Sequence, residues 1–356
     1  MISATYGHQA QADLPGVAFS AMRQILVAQA KASSLKVLED APDRITLETA
    51  HGLIGLRPGT CSETAGMVAA VDGYWLFVMK SAVASQMAHL MPEVAKAMRW
   101  SDASAETSLP ANFTFAQAVD VQELGDVFLR VTLQGDDFSR HGDESIHFRL
   151  VQQPPDAEVE WPRVAPNGSV AWAEGPGAPH RPVYTTRFMD AASNTLVTDV
   201  FLHEGGRTTE WAQSMLAGER KGRVVGVLGP SGGGLLRAAN VLMASDETGF
   251  PAAARLLENL PDGARGALFL EAENGAQCQY PIDIPNGIDV VWLTRANGNV
   301  LADAVLEALP DHRDAHIWFA GERQQATRIR EAAKSSGWDK DKLRISGFWR
   351  SSLDDG

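Results

Sequence analysis

From Val224 to its end, the sequence alternates apolar strand-like runs with segments of helical periodicity. The strand-like runs lie at 224–228, 240–243, 267–271, 289–293 and 315–320, and the helical segments at 250–260, 301–309 and 323–335. Parallel strands need long crossover connections, which are usually helices, so this alternation predicts a parallel sheet covered by helices. Such sheets bind nucleotides at the carboxyl ends of their strands. Residues 226–356 are therefore predicted to form a nucleotide-binding α/β domain.

The middle of the chain, residues 113–225, has the pattern of strands separated by turn residues. Six strand-like runs lie at 113–121, 127–134, 145–151, 183–189, 195–202 and 223–228. Short strands with turn signals and no long helix predict a small antiparallel barrel or sandwich. A Pro- and Gly-rich stretch at 153–182 is expected to be a long connection, and connections of that length are usually functional or mobile.

Residues 1–100 are predicted to form a smaller α+β domain. Helices are expected at 14–32 and 81–98, and strands at 36–38, 44–48, 52–56 and 73–79. The polar, Ser- and Ala-rich stretch 101–112 is predicted to be a linker. The expected architecture is thus multidomain α+β and α/β, with a small α+β domain, an antiparallel barrel and a C-terminal parallel sheet.

Composition and charge exclude several classes of protein. The chain has 356 residues, of which 45% are hydrophobic and 21% charged, a globular composition in a chain too long for one core. A net charge of −13 with no basic domain argues against a nucleic-acid partner. Without an 18-residue apolar run or a basic-then-apolar N-terminus, a cytoplasmic location and no membrane insertion are expected. Cys61 and Cys278 are far apart, so no disulfide or metal site is expected, and both are predicted to be buried.

The segment from Arg181 to Arg187 combines groups that suit a flavin nucleotide. An Arg side chain can hold a phosphate through two parallel hydrogen bonds. Tyr184 offers a flat face to a fused ring, and the hydroxyl of Thr185 can bond a ring nitrogen. A surface strand of a β-rich domain is the alternative interpretation of this segment.

Two later segments are candidates for phosphate binding. The stretch 199–211 runs from a strand through a glycine turn into a helix that Thr208 or Thr209 is expected to cap, with free N–H groups facing a pyrophosphate. The stretch 244–251 ends a strand and begins a helix, with Thr248 placed to reach a phosphate. Both are also compatible with ordinary capped helices, and the glycine cluster 232–234 matches no phosphate-loop spacing.

Taken in order, these segments resemble the siderophore-interacting protein family of ferric siderophore reductases. The resemblance rests on Arg181-x-x-Tyr184-Thr185-x-Arg187, Leu202-His203 with Gly206-x-Thr208-Thr209-x-Trp211-Ala212, Gly229-Pro230-Ser231-Gly232, Asp246-Glu247-Thr248-x-x-Pro251-Ala252, Val291-Trp292-Leu293, Ala320-Gly321-Glu322 and Gly347-Phe348-Trp349-Arg350. These motifs occur in the family's order across residues 113–350. Residues 1–100 look like a small domain fused ahead of such reductases, and the family implies no role for it.

The resemblance implies a Greek-key barrel that carries FAD and an α/β domain that admits NADH or NADPH. Tyr184 and Thr185 would be the catalytic positions beside the flavin. The residues implied to bind the flavin nucleotide are Arg181, Tyr184, Thr185, Arg187, Asp199, His203, Thr208 and Thr209. Those implied to receive the pyridine nucleotide are Gly229, Ser231, Gly232, Asp246, Glu247, Thr248, Ala320, Gly321 and Glu322, with Trp349 near the flavin or the substrate mouth.

The implied reaction is the reduction of siderophore-bound Fe(III) to Fe(II) by NADH or NADPH through FAD, which releases the iron. Because ferric siderophores are often anionic, Arg149, Arg187 and Arg350 are the expected substrate patch. Arg295 and Arg323 are candidates for contact with the 2′-phosphate of NADPH. The alternatives are reduction of another acceptor, such as a quinone, free flavin or protein, and capture of an iron chelate without turnover. Residues 1–100 would be either an accessory binding unit or a structural or dimerising one.

Overall fold

The computed structural model describes residues 6–59, 64–103, 108–154, 157–220, 222–295 and 300–351. The chain divides into two compact units. Unit 1 comprises Met1–Phe113 and Gln153–Pro179, and unit 2 comprises Thr114–Gln152 and His180–Gly356. Cys61 lies outside the described residues, whereas Cys278 is half-buried. Among the helices that the structure describes, none is long and apolar enough to cross a membrane.

Unit 1 is built on a six-stranded antiparallel sheet with helices packed against it. The strands are β1 (His8–Leu14), β2 (Lys36–Ala41), β3 (Arg44–Thr49), β4 (Gly52–Pro58), β5 (Thr64–Ala70) and β6 (Arg99–Trp100). The helices are α1 (Phe19–Ala32), α2 (Gly73–Leu90) and α3 (Pro92–Ala97). The strand order is β2-β3-β4-β5-β1-β6, and apolar side chains of the central strands pack against α1 and α2. The expected α+β character of this region is confirmed.

The strand expected at 73–79 is wrong, because these residues form the first turns of α2. Asp72 begins the helix, with its Oδ1 accepting a hydrogen bond from Trp75 N at 2.8 Å. An apolar run that is buried on all sides has the same composition in a helix as in a central strand. The helix expected at 14–32 begins only at Phe19, since Leu14 ends β1.

The stretch Gln153–Pro179 lies within the predicted barrel range 113–225 but groups with unit 1 through its contacts. Trp100 Nε1 donates to Asn167 O at 2.8 Å, and Asn167 Nδ2 donates to Ala95 O at 2.9 Å. The stretch contains the short pair β10 (Arg163–Val164) and β11 (Val170–Ala171). These hydrogen bonds connect it to residues that lie far away in sequence, which local pattern cannot reveal.

Unit 2 begins with an antiparallel barrel. Its strands are β7 (Phe113–Glu123), β8 (Phe128–Gly135), β9 (His147–Val151), β12 (Val183–Thr185), β13 (Phe188–Asp190), β14 (Thr195–Phe201) and β15 (Val224–Ser231), with α4 (Arg207–Leu216) before the last strand. The order β12-β9-β15-β7-β8-β14-β13 is the expected Greek-key arrangement. The two ends of the sheet lie side by side, since Thr198 Oγ1 of β14 donates to Thr185 O of β12 at 2.9 Å. The single strand expected at 183–189 is two strands.

The remainder of unit 2 is a five-stranded sheet in which every pair is parallel, as predicted. The strands are β16 (Asn240–Asp246), β17 (Arg265–Ala272), β18 (Ile288–Thr294), β19 (His316–Glu322) and β20 (Leu343–Trp349). The helices are α5 (Phe250–Leu257), α6 (Leu301–Ala308) and α7 (Arg323–Ser335). The order β18-β17-β16-β19-β20 reverses direction between β16 and β19. Ligands of such sheets bind at the carboxyl ends of the strands beside this reversal.

Candidate active site

A cavity of about 550 Å³ lies between the barrel and the parallel sheet of unit 2. Its lining residues are His147, Arg149, Pro182, Val183, Tyr184, Thr185, Asp199, Phe201, His203, Thr248, Pro251, Ser346, Gly347 and Phe348. Both sides are held in place by a shared apolar core, in which the ring of Phe128 lies 4.4 Å from that of Tyr280 and 6.2 Å from that of Phe250. The volume is within the usual range for ligand and cofactor pockets.

Strand β12 brings Tyr184 and Thr185 to the cavity, where the sequence analysis expected them. Thr185 is paired with His147 of β9, and its Oγ1 lies 3.3 Å from His147 Nδ1. Burial, helped by the charge of Arg344, lowers the pKa of His147 to about 4, so the imidazole is neutral at pH 7. Burial raises the pKa of Tyr184 to about 12 and keeps its phenol protonated. This wall therefore offers an aromatic face and uncharged hydrogen-bonding groups.

Arg149 is the exposed cation of the cavity wall. It lies on β9 opposite Val183, and its guanidinium donates to Arg181 O at 3.2 Å. Arg181 itself is exposed ahead of β12 and does not line the cavity. His203 lines the cavity just after β14. Of the predicted flavin segment, Pro182, Val183, Tyr184 and Thr185 thus line the cavity.

Helix α4 begins beside His203, but the expected threonine cap is wrong. Gly206 occupies the N-cap position, and no side chain caps the helix. Thr209 Oγ1 instead accepts from His203 N at 3.1 Å, and Thr208 Oγ1 donates to Gln152 Oε1 at 2.8 Å. A Cβ at Gly206 would lie 2.6 Å from the His203 ring, so glycine permits this close turn. The first N–H groups of α4 remain without a side-chain cap, an arrangement that favours an anion.

Asp199 lines the cavity at the end of a buried charge network. Arg130 donates to its two carboxylate oxygens at 2.7 and 2.8 Å, and Tyr280 OH donates to Oδ2 at 2.7 Å. Arg187 is only 4% exposed, and it donates to Glu258 Oε1 at 2.7 Å. The structure does not support the expected flavin- and substrate-binding roles of Arg187, because its guanidinium is buried against carboxylates and does not line the cavity.

Asp246 forms a second polar cluster at the carboxyl end of β16. Its Oδ1 accepts from Thr248 N at 3.0 Å and from the Thr248 hydroxyl, and its Oδ2 accepts from Trp349 Nε1 at 2.7 Å. Burial raises the pKa of Asp246 to about 6, even though the hydrogen bonds from Thr248 and Trp349 oppose this rise. The structure thus brings Asp246, Thr248 and Trp349 together at the sheet end where a nucleotide is expected.

We expect the affinity for NAD⁺ to increase as the pH falls from 8 to 5. Protonation of Asp246, whose pKa is about 6, removes a negative charge from the place where the pyrophosphate would bind. The expected gain is roughly threefold to tenfold. NAD⁺ is the suitable probe because its pyrophosphate keeps a constant charge in this interval. Equilibrium dialysis should show the pH dependence in the unmodified chain and a nearly flat profile in Asp246→Asn. An equal slope in both proteins would assign the titration to another group.

Glu247, which follows β16, and Arg295, which follows β18, form a third cluster with Glu271 of β17. Arg295 donates to Glu247 and, through Nε, to Glu271 Oε1 at 2.8 Å, while Glu247 Oε1 also accepts from Glu273 N at 2.9 Å. Although burial opposes its charge, the bonds to Glu247 and Glu271 raise the pKa of Arg295. Arg295 is therefore neutralised by carboxylates, which does not favour its expected contact with a 2′-phosphate. Arg323 is exposed at the start of α7 and remains a candidate.

The glycine turn after β15 lies in the barrel rather than in the parallel domain. Gly229 and Ser231 belong to β15, beyond the expected boundary at residue 225. Gly232 has a φ of +74°, and a Cβ there would lie 2.6 Å from the His147 ring. Arg344 donates to Gly233 O at 2.7 Å and thereby fixes this turn through one of its carbonyl groups.

Strand β19 ends at Ala320, Gly321 and Glu322, close to Asp246. A Cβ at Gly321 would lie 3.0 Å from Asp246 Oδ2. Glu322 caps α7 by accepting from Gln325 N at 2.9 Å through Oε2. Its Oε1 is buried and has no partner among the residues that the structure describes. The end of β19 thus presents an unpaired acceptor beside the Asp246 cluster.

Several lining residues, among them His147, Phe201 and Phe348, were given no role by the sequence analysis. His147 stands two positions before Arg149 on a run already predicted to be a strand, so both side chains were expected on one face. This spacing of two residues from Arg149 is the sequence signal that could have identified His147. Phe348 belongs to a recognised motif, and its ring centroid lies 5.7 Å from that of His147.

The residues around the cavity fit a flavin nucleotide. Tyr184 supplies a ring face, Thr185 and His203 supply hydrogen-bonding groups, and the uncapped start of α4 suits a pyrophosphate. Near the start of that helix, Gln152 Nε2 is a buried donor without an acceptor in the described part of the chain. A buried donor of this kind is expected to be satisfied by a bound group.

Comparison with known proteins agrees with this geometry. The family model for the siderophore-interacting FAD-binding domain matches residues 117–234, and the siderophore-interacting protein model matches residues 238–352. The NADPH-dependent ferric-chelate reductase of Escherichia coli is 29% identical over 238 residues, covering 64% of this chain and 89% of that protein. The ferric vibriobactin reductase of Vibrio cholerae is 28% identical over 237 residues, covering 62% and 83%. A solved siderophore utilization protein from T. fusca has 27% identity and a TM-score of 0.54, covering 68% and 95%.

Proposed function

Because the chain belongs to the siderophore-interacting protein family, we propose that it is an FAD-containing, NAD(P)H-dependent reductase of ferric siderophores. One observation carries the proposal. The same cavity is lined by Tyr184 and Thr185 of the barrel and by Thr248 and Phe348 at the carboxyl ends of the parallel sheet. A flavin on the first pair and a nicotinamide near the second would be close enough for hydride transfer. We assign the reaction to the cytoplasm, since its electron donor is a pyridine nucleotide.

The chain's own residues bind and orient the reactants. Tyr184 would pack on the flavin ring system, while Thr185 and the neutral His147 would offer hydrogen bonds without adding charge. Asp246 and Trp349, which are hydrogen-bonded to each other, would form the floor of the pyridine-nucleotide site. Bound FAD would supply hydride acceptance and single-electron transfer to Fe(III), chemistry that side chains cannot supply. The siderophore's hard oxygen ligands hold Fe(II) more weakly than Fe(III), so reduction releases the iron.

Arg149 and Arg350 are the cations that we propose for the anionic substrate. Arg149 lines the flavin-sized cavity, and Arg350 lines a neighbouring cavity of about 500 Å³ together with Arg323 and Arg330. The two cavities share Gly347 and Phe348. In the described part of the chain, no carboxylate pairs with Arg149 or Arg350, so their charges remain available to a ligand.

An Arg149→Ala variant is expected to raise the KM for an anionic ferric siderophore roughly threefold to tenfold, because an exposed cation attracts the substrate. The effect should shrink at high salt and should be absent for an uncharged ferric chelate. Steady-state kinetics with both chelates measures this difference. Arg265→Ala is the matched control, since Arg265 is exposed at the amino end of β17, away from the site. Equal KM values for Arg149→Ala and the unmodified chain would show that Arg149 does not contribute to binding the anionic siderophore.

The experiment that tests the proposed function begins with FAD itself. The purified chain should carry FAD or be reconstituted with it, and NADPH or NADH should bleach the flavin absorbance without oxygen. Comparing the two donors in stopped flow identifies the preferred one. Protein that stays colourless after reconstitution with FAD would contradict both this reductase and a flavin reductase of another acceptor.

A further inference from the structure

Unit 1 contains an apolar cavity of about 230 Å³ between its sheet and its two long helices. The floor includes Ala12, Gly66 and Leu56, which are cross-strand partners on β1, β5 and β4 and therefore share one face of the sheet. The walls are formed by Met22, Ile25, Leu26 and Gln29 of α1 and by Ala82, Val83, Gln86, Met87 and Leu90 of α2. Residues before 117 lie outside both matched family models, so the family assigns no role to this cavity.

Gly66 keeps the floor of the cavity open. Its backbone is not in the left-handed region, and a Cβ built there would meet no atom closer than 3.7 Å. Neither backbone conformation nor crowding therefore requires glycine at this position. Protein interiors are normally close-packed, with few voids larger than a water molecule. A space of this size, bordered by flexible methionines that could fill it, is the form expected of a binding cavity.

The lining determines the chemistry of the occupant. No lining residue is charged, and the indole N–H of Trp100 already donates to Asn167 O. The other polar side chains are those of Gln29 and Gln86, and both residues are half-buried. Neither side-chain amide group forms a hydrogen bond within the described part of the chain. An uncharged and mostly apolar lining favours an uncharged apolar molecule over ordered water, which needs two to four polar partners.

The shape of the cavity favours a chain over a compact ring. Lining residues on α2 run from Ala82 to Leu90, a rise of about 12 Å along the helix. Dividing the volume by this length leaves a cross-section of roughly 20 Å², the square of the 4.0–4.5 Å contact distance between apolar atoms. That section accommodates one hydrocarbon chain. We propose that unit 1 binds an uncharged, unbranched aliphatic chain.

Methyl NMR on the full chain tests this proposal. With ¹³C-methyl methionine, 1-octanol should produce saturable shifts at Met22, Met87 and Met98, which line the cavity, and none at Met189 or Met243 of unit 2. Affinity should rise about threefold to fourfold per methylene from 1-butanol to 1-octanol. It should level off once the alkyl chain exceeds the length of the cavity. Benzene should bind more weakly than 1-octanol.

A cavity-filling variant provides the second arm. Gly66→Val should abolish the octanol shifts, because its side chain occupies the floor. Gly7→Val is the matched control, since a Cβ at Gly7 meets nothing within 4 Å and the residue does not line the cavity. Unchanged methionine signals up to the solubility limit of octanol, equal binding by Gly66→Val, or affinity that is independent of chain length would each overturn the proposal. If Gly66→Val does not fold, the affinities of the unmodified protein for the alcohols from 1-butanol to 1-octanol still test the proposal.

Discussion

A Tyr184→Ala variant is expected to be purified with little FAD and to bind added FAD about 10- to 100-fold more weakly than the unmodified chain. Tyr184 lines the cavity with a protonated phenol, and its removal deletes the ring face on which we place the flavin. Loss of a stacked, largely buried aromatic ring costs about 1.5–3 kcal/mol, and each 1.4 kcal/mol is a factor of ten in affinity. Titration of the flavin-free chain with FAD, followed by flavin fluorescence, measures the effect.

Two further variants show whether the ring itself is responsible. Tyr184→Phe keeps the aromatic face and should bind FAD with nearly the affinity of the unmodified chain. Phe115→Ala removes an exposed ring of β7 that does not line the cavity, and it should also leave FAD binding unchanged. FAD binding by Tyr184→Ala as tight as by these controls would show that the flavin does not lie on Tyr184.

An Asp199→Ala variant is expected to lose about 3–5 kcal/mol of stability, because it leaves a buried ionic network without its central carboxylate. Asp199 is 1% exposed and accepts hydrogen bonds from Arg130 and Tyr280, with Arg187 Nε 3.6 Å away. For a unit of this size the loss corresponds to a fall in Tm of roughly 6–20 °C. Calorimetry on flavin-free protein measures it without a contribution from FAD binding.

Two further substitutions should show whether the lost stability comes from the whole network or from a single hydrogen bond. Tyr280→Phe removes one hydrogen bond to Asp199 and should cost only about 1 kcal/mol. Asp120→Ala removes an exposed carboxylate of the same barrel and should leave the Tm nearly unchanged. If Asp199→Ala were as stable as Asp120→Ala, the buried network would not hold the barrel and the parallel domain in their observed arrangement.

Much of the fold of unit 2 could be predicted because its strands are long apolar runs separated by clear turns. Unit 1 was harder. Strands β1 and β5 are made largely of Ala, Gln and Gly, which carry little strand signal, and the start of α2 is apolar on every side. The grouping of Gln153–Pro179 with unit 1 depends on hydrogen bonds between distant residues, such as Trp100 and Asn167, which no local pattern encodes.

In the site too, residues that are adjacent in the sequence could be predicted, whereas contacts between distant residues could not. The position of Tyr184 and Thr185 at the cavity agrees with the sequence analysis, because the two residues are adjacent in one motif. The burial of Arg187 against carboxylates could not be predicted, because its partners, Glu258 and Asp199, lie on other elements and their proximity appears only in the fold. His147 was missed for a related reason, since it has a neighbour in Thr185 only through the pairing of β9 with β12.

The measurement that tests the account most directly is anaerobic reoxidation of the reduced protein by a ferric siderophore. The FAD-loaded chain is first reduced with one equivalent of NADPH or NADH and then mixed with the ferric chelate and an Fe(II)-specific dye. Because reduced FAD carries two electrons and each Fe(III) accepts one, oxidised flavin should return with the release of two Fe(II) per FAD. If a pyridine nucleotide reduces the flavin and a quinone reoxidises it, but no ferric chelate does, the assignment as a ferric siderophore reductase is contradicted.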